Sequence, residues 1–290
     1  MKIRLHFTKM SGAGNDFVVV ENMNGELLCD KDALAVALCS RHTGIGADGL
    51  LVLERSPRAD FFMSYYNADG SYGGMCGNGG RCVARYAYVS GIAGPDMTFE
   101  ALDHLYHAQV VGNDVRLHMK DPSRFTNGIR LSDSSLTSEG DFVDTGAPHF
   151  VIEQESLDNV DVLTLGRAVR FHSTFAPEGC NVDFVERLQD GVVAIRTYER
   201  GVETETLACG TGCVAAAVVL AHRYGLLSPV TLRVRSGEEV RVYFRYDRGH
   251  WSDVLLEGSA HFVFQGDLLY DTEARTIVDS PIILSHSIPT

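Results

Sequence analysis

The 290-residue chain has no apolar run approaching the length of a membrane span, no block or stripe of Lys and Arg, no phosphate-cradling P-loop and no His-Glu-x-x-His zinc helix. The first absence argues against a helical membrane protein. The second, with 25 Lys and Arg set against 38 Asp and Glu for a formal net charge of −13, makes nucleic acid and anionic membrane poor partners. The opening segment Met1-Lys2-Ile3-Arg4-Leu5-His6-Phe7 has neither an apolar core nor a small-residue cleavage site, so a cytoplasmic protein is expected. A composition of 45% hydrophobic and 22% charged residues excludes wholesale disorder and collagen-like repetition.

The length favours two domains of roughly 150 residues each. Short β-branched and aromatic runs dominate, and tight-turn signals separate many of them, which argues for antiparallel hairpins over strand–helix–strand crossovers. Hairpin turns are expected at Gly112-Asn113, Gln189-Asp190-Gly191, Ser236-Gly237-Glu238 and Asp247-Arg248-Gly249. Further strands are expected near 4–8, 17–22, 50–54, 61–67, 149–153, 181–186, 193–198, 230–234, 252–257 and 260–264. Helices are few. Residues 34–39, capped by Asp30 or Asp32, read as a half-buried surface helix, whereas 83–89 and 213–221 are apolar nearly all round and must be enclosed.

The two enclosed helices share a lead-in: Cys76-Gly77-Asn78-Gly79 precedes the first and Cys209-Gly210-Thr211-Gly212 the second. Upstream, Asn15-Asp16-Phe17-Val18 resembles Asn181-Val182-Asp183-Phe184-Val185. Self-similarity in this order predicts two copies of one unit. The expected fold is α+β, with two pseudo-symmetric domains, each a curved, mainly antiparallel sheet wrapped around a central helix. The boundary is expected near Asp121-Pro122, giving a first domain of 1–121 plus a C-terminal tail of about 266–290, a second domain of 122–265, and an active site in the cleft between them.

Seven cysteines in a chain of this kind read as free thiols, metal ligands or catalysts before they read as staples. A Cys just before a helix N-terminus lies beside unpaired backbone N–H groups, which favours its thiolate, and the adjoining glycines let the main chain approach an anion such as a carboxylate. Two such thiols facing one bound anion suit the inversion of a carbon acid, with proton removal on one face and delivery on the other. That chemistry needs no cofactor, only stabilisation of an enediolate-like carboxylate by fixed dipoles. Cys29, Cys39, Cys82, Cys180 and Cys213 read as inert core residues. The spacings between Cys76 and Cys82 and between Cys209 and Cys213 are not those of structural zinc, so no metal is expected.

Six segments, Gly12-Ala13-Gly14-Asn15-Asp16-Phe17, Gly44-Ile45-Gly46-Ala47-Asp48-Gly49, Asn67-Ala68-Asp69-Gly70-Ser71, Met75 to Cys82, Tyr198-Glu199-Arg200-Gly201 and Ala208 to Gly212, together resemble the diaminopimelate epimerase family. The resemblance implies a pyridoxal-independent isomerase that interconverts LL- and meso-diaminopimelate in lysine and peptidoglycan precursor biosynthesis, with the two-domain fold described above and a homodimeric assembly. It implies Cys76 and Cys209 as the acid and base, and His149 and Glu199 as groups that tune a thiol. Asn15, Asn67, Gly77, Asn78, Asn181, Glu199, Arg200, Gly210 and Thr211 match substrate-binding positions. The chain departs from the family pattern at Ala147 and Gly49, and the run from Glu199 to Cys209 is one residue longer than in some relatives. Rival readings are a racemase of the same fold acting on proline, hydroxyproline or histidine, and a non-catalytic cysteine protein that binds metal or senses redox state. The Glu199-Arg200 pair, suited to a distal ammonium and carboxylate, argues against the first rival.

Overall fold

Runs such as Val18-Val19-Val20 and Leu50-Leu51-Val52-Leu53 lack the alternation of a half-buried strand, and the structure supplies the reason: these strands are covered on both faces. The computed structural model describes residues 1–132, 137–278 and 282–285. The chain divides into two compact units, one of residues 1–117 with 259–290 and one of residues 118–258.

The first unit begins with β1 (Lys2–Gly12), β2 (Asn15–Asn22), α1 (Lys31–Cys39), β3 (Gly49–Glu54), β4 (Phe61–Asn67), α2 (Gly77–Val89), β5 (Asp96–Ala101), β6 (His104–Val111) and β7 (Asp114–His118). Consecutive strands are neighbours from β1 to β7. Pairing is antiparallel except at β2–β3 and β4–β5, the two places where a helix intervenes. Strand periodicity then sorts the side chains. Val18, Val20, Leu50 and Val52 face Leu34 and Leu38 of α1 in one core layer. Their neighbours Phe17, Val19, Leu51 and Leu53 are also buried, on the face that α2 covers.

The second unit runs through β8 (Ser123–Ser132), β9 (Thr137–Asp144), β10 (Pro148–Glu153), α3 (Val162–Arg170), β11 (Asn181–Arg187), β12 (Val193–Glu199), β13 (Thr204–Thr206), α4 (Gly210–Tyr224), β14 (Val230–Arg233), β15 (Glu239–Asp247) and β16 (His250–Ser259). Its sheet repeats the pattern. The order is β9-β10-β11-β12-β14-β15-β16, with β10–β11 and β12–β14 parallel across α3 and α4. Phe150, Ile152, Val182, Phe184 and Tyr198 pack with Val162 and Val169 of α3. The opposite face receives α4, whose residues from Gly212 to Ala221 are all buried. At roughly 1.5–3 kcal/mol for each large apolar side chain buried, enclosure of such a helix is the main force that curves the sheet around it.

The chain then returns to the first unit as β17 (His261–Asp271), which pairs antiparallel with β1 and with β18 (Thr276–Ile277) and β19 (Ile283–Ser285).

The hairpins expected at Gly112-Asn113, Gln189-Gly191, Ser236-Glu238 and Asp247-Gly249 join β6–β7, β11–β12, β14–β15 and β15–β16. Three readings are corrected. Parallel crossovers are part of each unit, although antiparallel pairs predominate. Helix α3 was not anticipated, although its signals are present: Asp161 accepts from the Thr164 N–H as a side-chain cap, and Val162, Gly166 and Val169 form the buried stripe. The upstream self-similarity was also misaligned. By pairing order β10, not β11, is the counterpart of β2, and β11 is the counterpart of β3, so Phe17 corresponds to His149, Gly49 to Asn181 and Leu51 to Asp183.

Candidate active site

In each unit the carbonyl of the thiol residue accepts the first bond of the central helix: Gly80 N–H donates to Cys76 (2.7 Å) and Cys213 N–H to Cys209 (3.0 Å). Both cysteines are extended N-caps, with φ −127° and −122°, so each opens its helix where the first-turn N–H groups lack intrahelical partners. All seven cysteines are free thiols.

Cys209 is buried, and burial together with the negative charges of Glu199 and Asp183 pushes its thiol well above the ordinary range. At this turn the expected thiolate character gives way to a raised thiol. A helix N-terminus acts over one turn, and here desolvation and two carboxylates outweigh it. The Cys209 Sγ lies 3.5 Å from Thr211 Oγ1. Thr211 Oγ1 in turn is 2.9 Å from His149 Nε2, and His149 Nδ1 donates to Asp183 Oδ2 at 2.7 Å, since a carboxylate can only accept. His149 and Asp183 are both fully buried. Thr197 Oγ1 donates to the other Asp183 oxygen at 2.7 Å. Asn181 Oδ1 accepts from the Arg200 backbone N–H at 2.7 Å, and its Nδ2 reaches Pro148 O at 3.2 Å and His149 Nε2 at 3.3 Å. Glu199, the last residue of β12, has its carboxyl pushed up by burial and by Asp183. The Arg200 guanidinium contacts Glu178 O at 3.4 Å. One unit therefore gathers His149, Asn181, Thr211 and Cys209 in a connected chain, with Glu199 and Arg200 at its edge.

The first unit gathers Asn15, Asn78 and the Cys76 turn. Asn78 Nδ2 donates to Asn15 Oδ1 (2.6 Å), Asn15 Nδ2 donates to Asp48 Oδ2 (2.9 Å), and Arg81 Nη2 donates to Asn78 Oδ1 (2.8 Å). Arg81 is 0% exposed, a buried cation five residues beyond Cys76 and ahead of the apolar run 83–89. Asp48 and Asp16 share Arg41, and Asp16 also receives Lys9. Asn67 is tied into its own turn, accepting from Tyr65 OH (2.8 Å) and donating to Ser71 Oγ (2.9 Å). At Gly49, where the chain departs from the family pattern, a Cβ would fall 2.5 Å from the Tyr65 ring and 2.6 Å from the Tyr66 carbonyl oxygen.

Cys39 and Cys180 are pushed up to about 12 by burial, as suits inert core thiols. Cys82 and Cys213 are buried inside α2 and α4. Asp183, Thr197, Arg81 and Tyr65 were not singled out by sequence. The visible signal for Asp183 was a carboxylate inside the otherwise apolar run Asn181 to Val185. Among the described residues no group of three or more His, Cys, Asp and Glu side chains is placed to hold a metal ion.

Two units of this construction, each with a cysteine at the N-cap of an enclosed helix, define a class: two-domain α+β proteins of the epimerase type. A solved Bacillus anthracis phenazine biosynthesis protein of the PhzF family shares the fold with a TM-score of 0.69 at 14% identity, over 92% of this chain and 99% of that one. The family model for diaminopimelate epimerase matches residues 7–125 and 142–263, and the chain belongs to that family. It is 46% identical to the diaminopimelate epimerase of Chlorobaculum tepidum over 264 residues, which is 89% of this chain and 99% of the relative. It is 40% identical to that of Aquifex aeolicus over 282 residues, covering 91% and 98%.

Proposed function

We propose that the protein is a cofactor-independent isomerase that interconverts LL- and meso-diaminopimelate by two-thiol proton transfer. The observation that carries the reading is the pair of cysteine N-caps, Cys76 and Cys209, on the central helices of the two units of a diaminopimelate epimerase family member. In the reaction one thiolate removes the α-proton while the opposite thiol delivers a proton to the other face, so the stereocentre inverts and the two sulfurs exchange roles. The backbone N–H groups at Gly77-Asn78 and Gly210-Thr211 bind the α-carboxylate and stabilise its enediolate form. Arg200 holds the distal carboxylate with a planar fork, Glu199 accepts from an ammonium, and Asn15, Asn67 and Asn181 orient the chain. The raised Cys209 thiol suits the proton-delivering role in the resting enzyme.

The same reading takes the protein as a cytoplasmic homodimer, as the family resemblance implies. No helix among the described residues is long and apolar enough to cross a membrane. The deciding measurement is exchange of the α-proton of LL- and meso-diaminopimelate in heavy water, with neither pyridoxal phosphate nor metal added. Exchange with interconversion is expected. Activity that a strong chelator abolishes, or that appears only with pyridoxal phosphate, defeats the reading, as does exchange confined to proline, hydroxyproline or histidine.

A further inference from the structure

The Cys209 turn is backed by a buried polar chain whose protonation state the hydrogen bonds fix from both ends. Asp183 requires a proton on His149 Nδ1. At the other nitrogen, the orientation of Asn181 is set by the Arg200 N–H, which demands the carbonyl oxygen; the Asn181 amide nitrogen is thereby turned toward His149 Nε2. An amide nitrogen only donates, so Nε2 is an acceptor and the ring is the neutral Nδ1–H tautomer. The Thr211 hydroxyl, the nearer donor at 2.9 Å, takes the single Nε2 lone pair, while the Asn181 amide at 3.3 Å is the weaker contact and also donates to Pro148 O at 3.2 Å; the Thr211 oxygen keeps its own lone pairs toward the Cys209 sulfur at 3.5 Å.

We propose a one-sided proton relay in which the Thr211 hydroxyl carries the proton that Cys209 exchanges with His149, and Asp183 is the positioning residue that holds the imidazole. The proton leaves Cys209 Sγ for Thr211 Oγ1 as the Thr211 hydroxyl proton passes to His149 Nε2. The S–H and Thr O–H bonds break, new O–H and N–H bonds form, and the products are a Cys209 thiolate and an imidazolium held by the Asp183 carboxylate. Thr211 ends as it began. Thr197, by donating to the second Asp183 oxygen, keeps that carboxylate in place.

The first unit lacks the residue types for such a relay. The positions corresponding to His149, Asp183, Thr197 and Thr211 carry Phe17, Leu51, Tyr65 and Asn78. The groups around His149 are Asp183 from β11, Glu199 from β12 and, through Thr211, Cys209 from the start of α4. Glu199 and Asp183 both oppose a negative sulfur at Cys209. A nearby proton acceptor that becomes positive offsets that opposition.

The inference rests on the epimerase reading for its kinetic arm only. Imidazole proton and nitrogen resonances of the full-length protein, with His149 assigned by the His149→Gln variant, should show a downfield Nδ1–H that disappears in Asp183→Asn and survives in Thr211→Val. In epimerisation across pH 6–10, Asp183→Asn and Thr211→Val should each lower kcat about 100-fold or more, with KM changed by no more than about twofold, and move the rising limb of the kcat profile upward. Thr211→Ser, which keeps the hydroxyl, should stay within about threefold of wild type. An Nε2–H tautomer for His149, or a wild-type kcat profile in Thr211→Val, would overturn the relay. Wild-type protein inactive on diaminopimelate but with the expected Nδ1–H resonance would overturn the substrate assignment instead, and would support the His149 arrangement.

Discussion

Gly212 lies so close to Asp183 that a Cβ on the glycine would come within 2.5 Å of Oδ1, and within 3.3 Å of Thr197 Oγ1. The third residue of the thiol helix thus shares its space with the carboxylate that holds His149. At the matching position in the first unit, a Cβ on Gly79 would meet the flexible end of Leu51 at 3.1 Å. A methyl group at Gly212 must displace a hydrogen-bonded carboxylate, whereas one at Gly79 need only move a leucine methyl by a few tenths of an ångström.

Gly212→Ala should therefore cost about 1–3 kcal/mol of stability through overpacking and also lower kcat well beyond what the residual folded fraction explains. Gly79→Ala should be the milder change in both respects. Melting curves and kcat measured side by side test the contrast. Equal losses in the two variants would show that the carboxylate behind Cys209 has no special part.

Cys76→Ala and Cys209→Ala should each abolish epimerisation, because inversion requires an acid and a base on opposite faces. Cys82→Ala and Cys213→Ala remove sulfurs that are 0% and 1% exposed inside the central helices, and should cost about 1 kcal/mol of stability with turnover largely kept. Circular dichroism melts separate the two effects. A folded but inactive Cys82→Ala protein would mean that the wrong thiol in the first turn has been assigned.

Much of this arrangement was legible in the chain because local chemistry repeats. The Cys-Gly-x-Gly turns mark both central helices, and the tight-turn residues locate the hairpins. What stayed hidden was non-local. Asp183 and Leu51 occupy corresponding places in two strands, yet one is a carboxylate and the other a hydrocarbon, so no self-comparison of the sequence aligns them. The misleading likeness of Asn15-Asp16-Phe17 to Asn181-Val182-Asp183-Phe184 had the same origin: similar residue types begin β2 and β11, which pairing order shows are not counterparts. Arg81 escaped notice because a buried arginine among glycines and apolar residues resembles a snorkelling surface residue until its burial is known.

Arg200→Lys should weaken substrate binding by about 1.5–3 kcal/mol, the scale of a charge-assisted hydrogen bond, because an ammonium cannot reproduce the planar two-bond grip on a carboxylate. Its main-chain N–H fixes Asn181, and the substitution leaves that bond in place. The loss should consequently appear in KM with the kcat profile little changed. Unaltered KM and kcat would remove Arg200 from the distal head of the substrate.

The cluster of Lys9, Asp16, Arg41 and Asp48 should make the stability of the first unit depend on acid. Burial favours the neutral Asp16 carboxyl, but hydrogen bonds from Arg41 at 3.1 and 2.9 Å and from the nearly buried Lys9 at 2.7 Å outweigh it and hold the carboxyl below its ordinary range. A carboxyl depressed in the folded state stabilises the fold fully above its unfolded value of about 4, and that stabilisation fades as pH falls through the lower folded value. Asp16→Asn leaves Lys9 without its carboxylate partner and should cost about 1–3 kcal/mol near neutrality. Melting temperatures of wild type and variant should therefore differ by a constant amount between about pH 5 and 7 and converge as the solution is taken below about pH 4. The convergence follows from protonation of Asp16 itself, since the wild-type side chain then approaches the neutral amide in charge. A gap that stays constant or widens into acid would show that Asp16 is not the group whose ionisation supports this corner of the sheet.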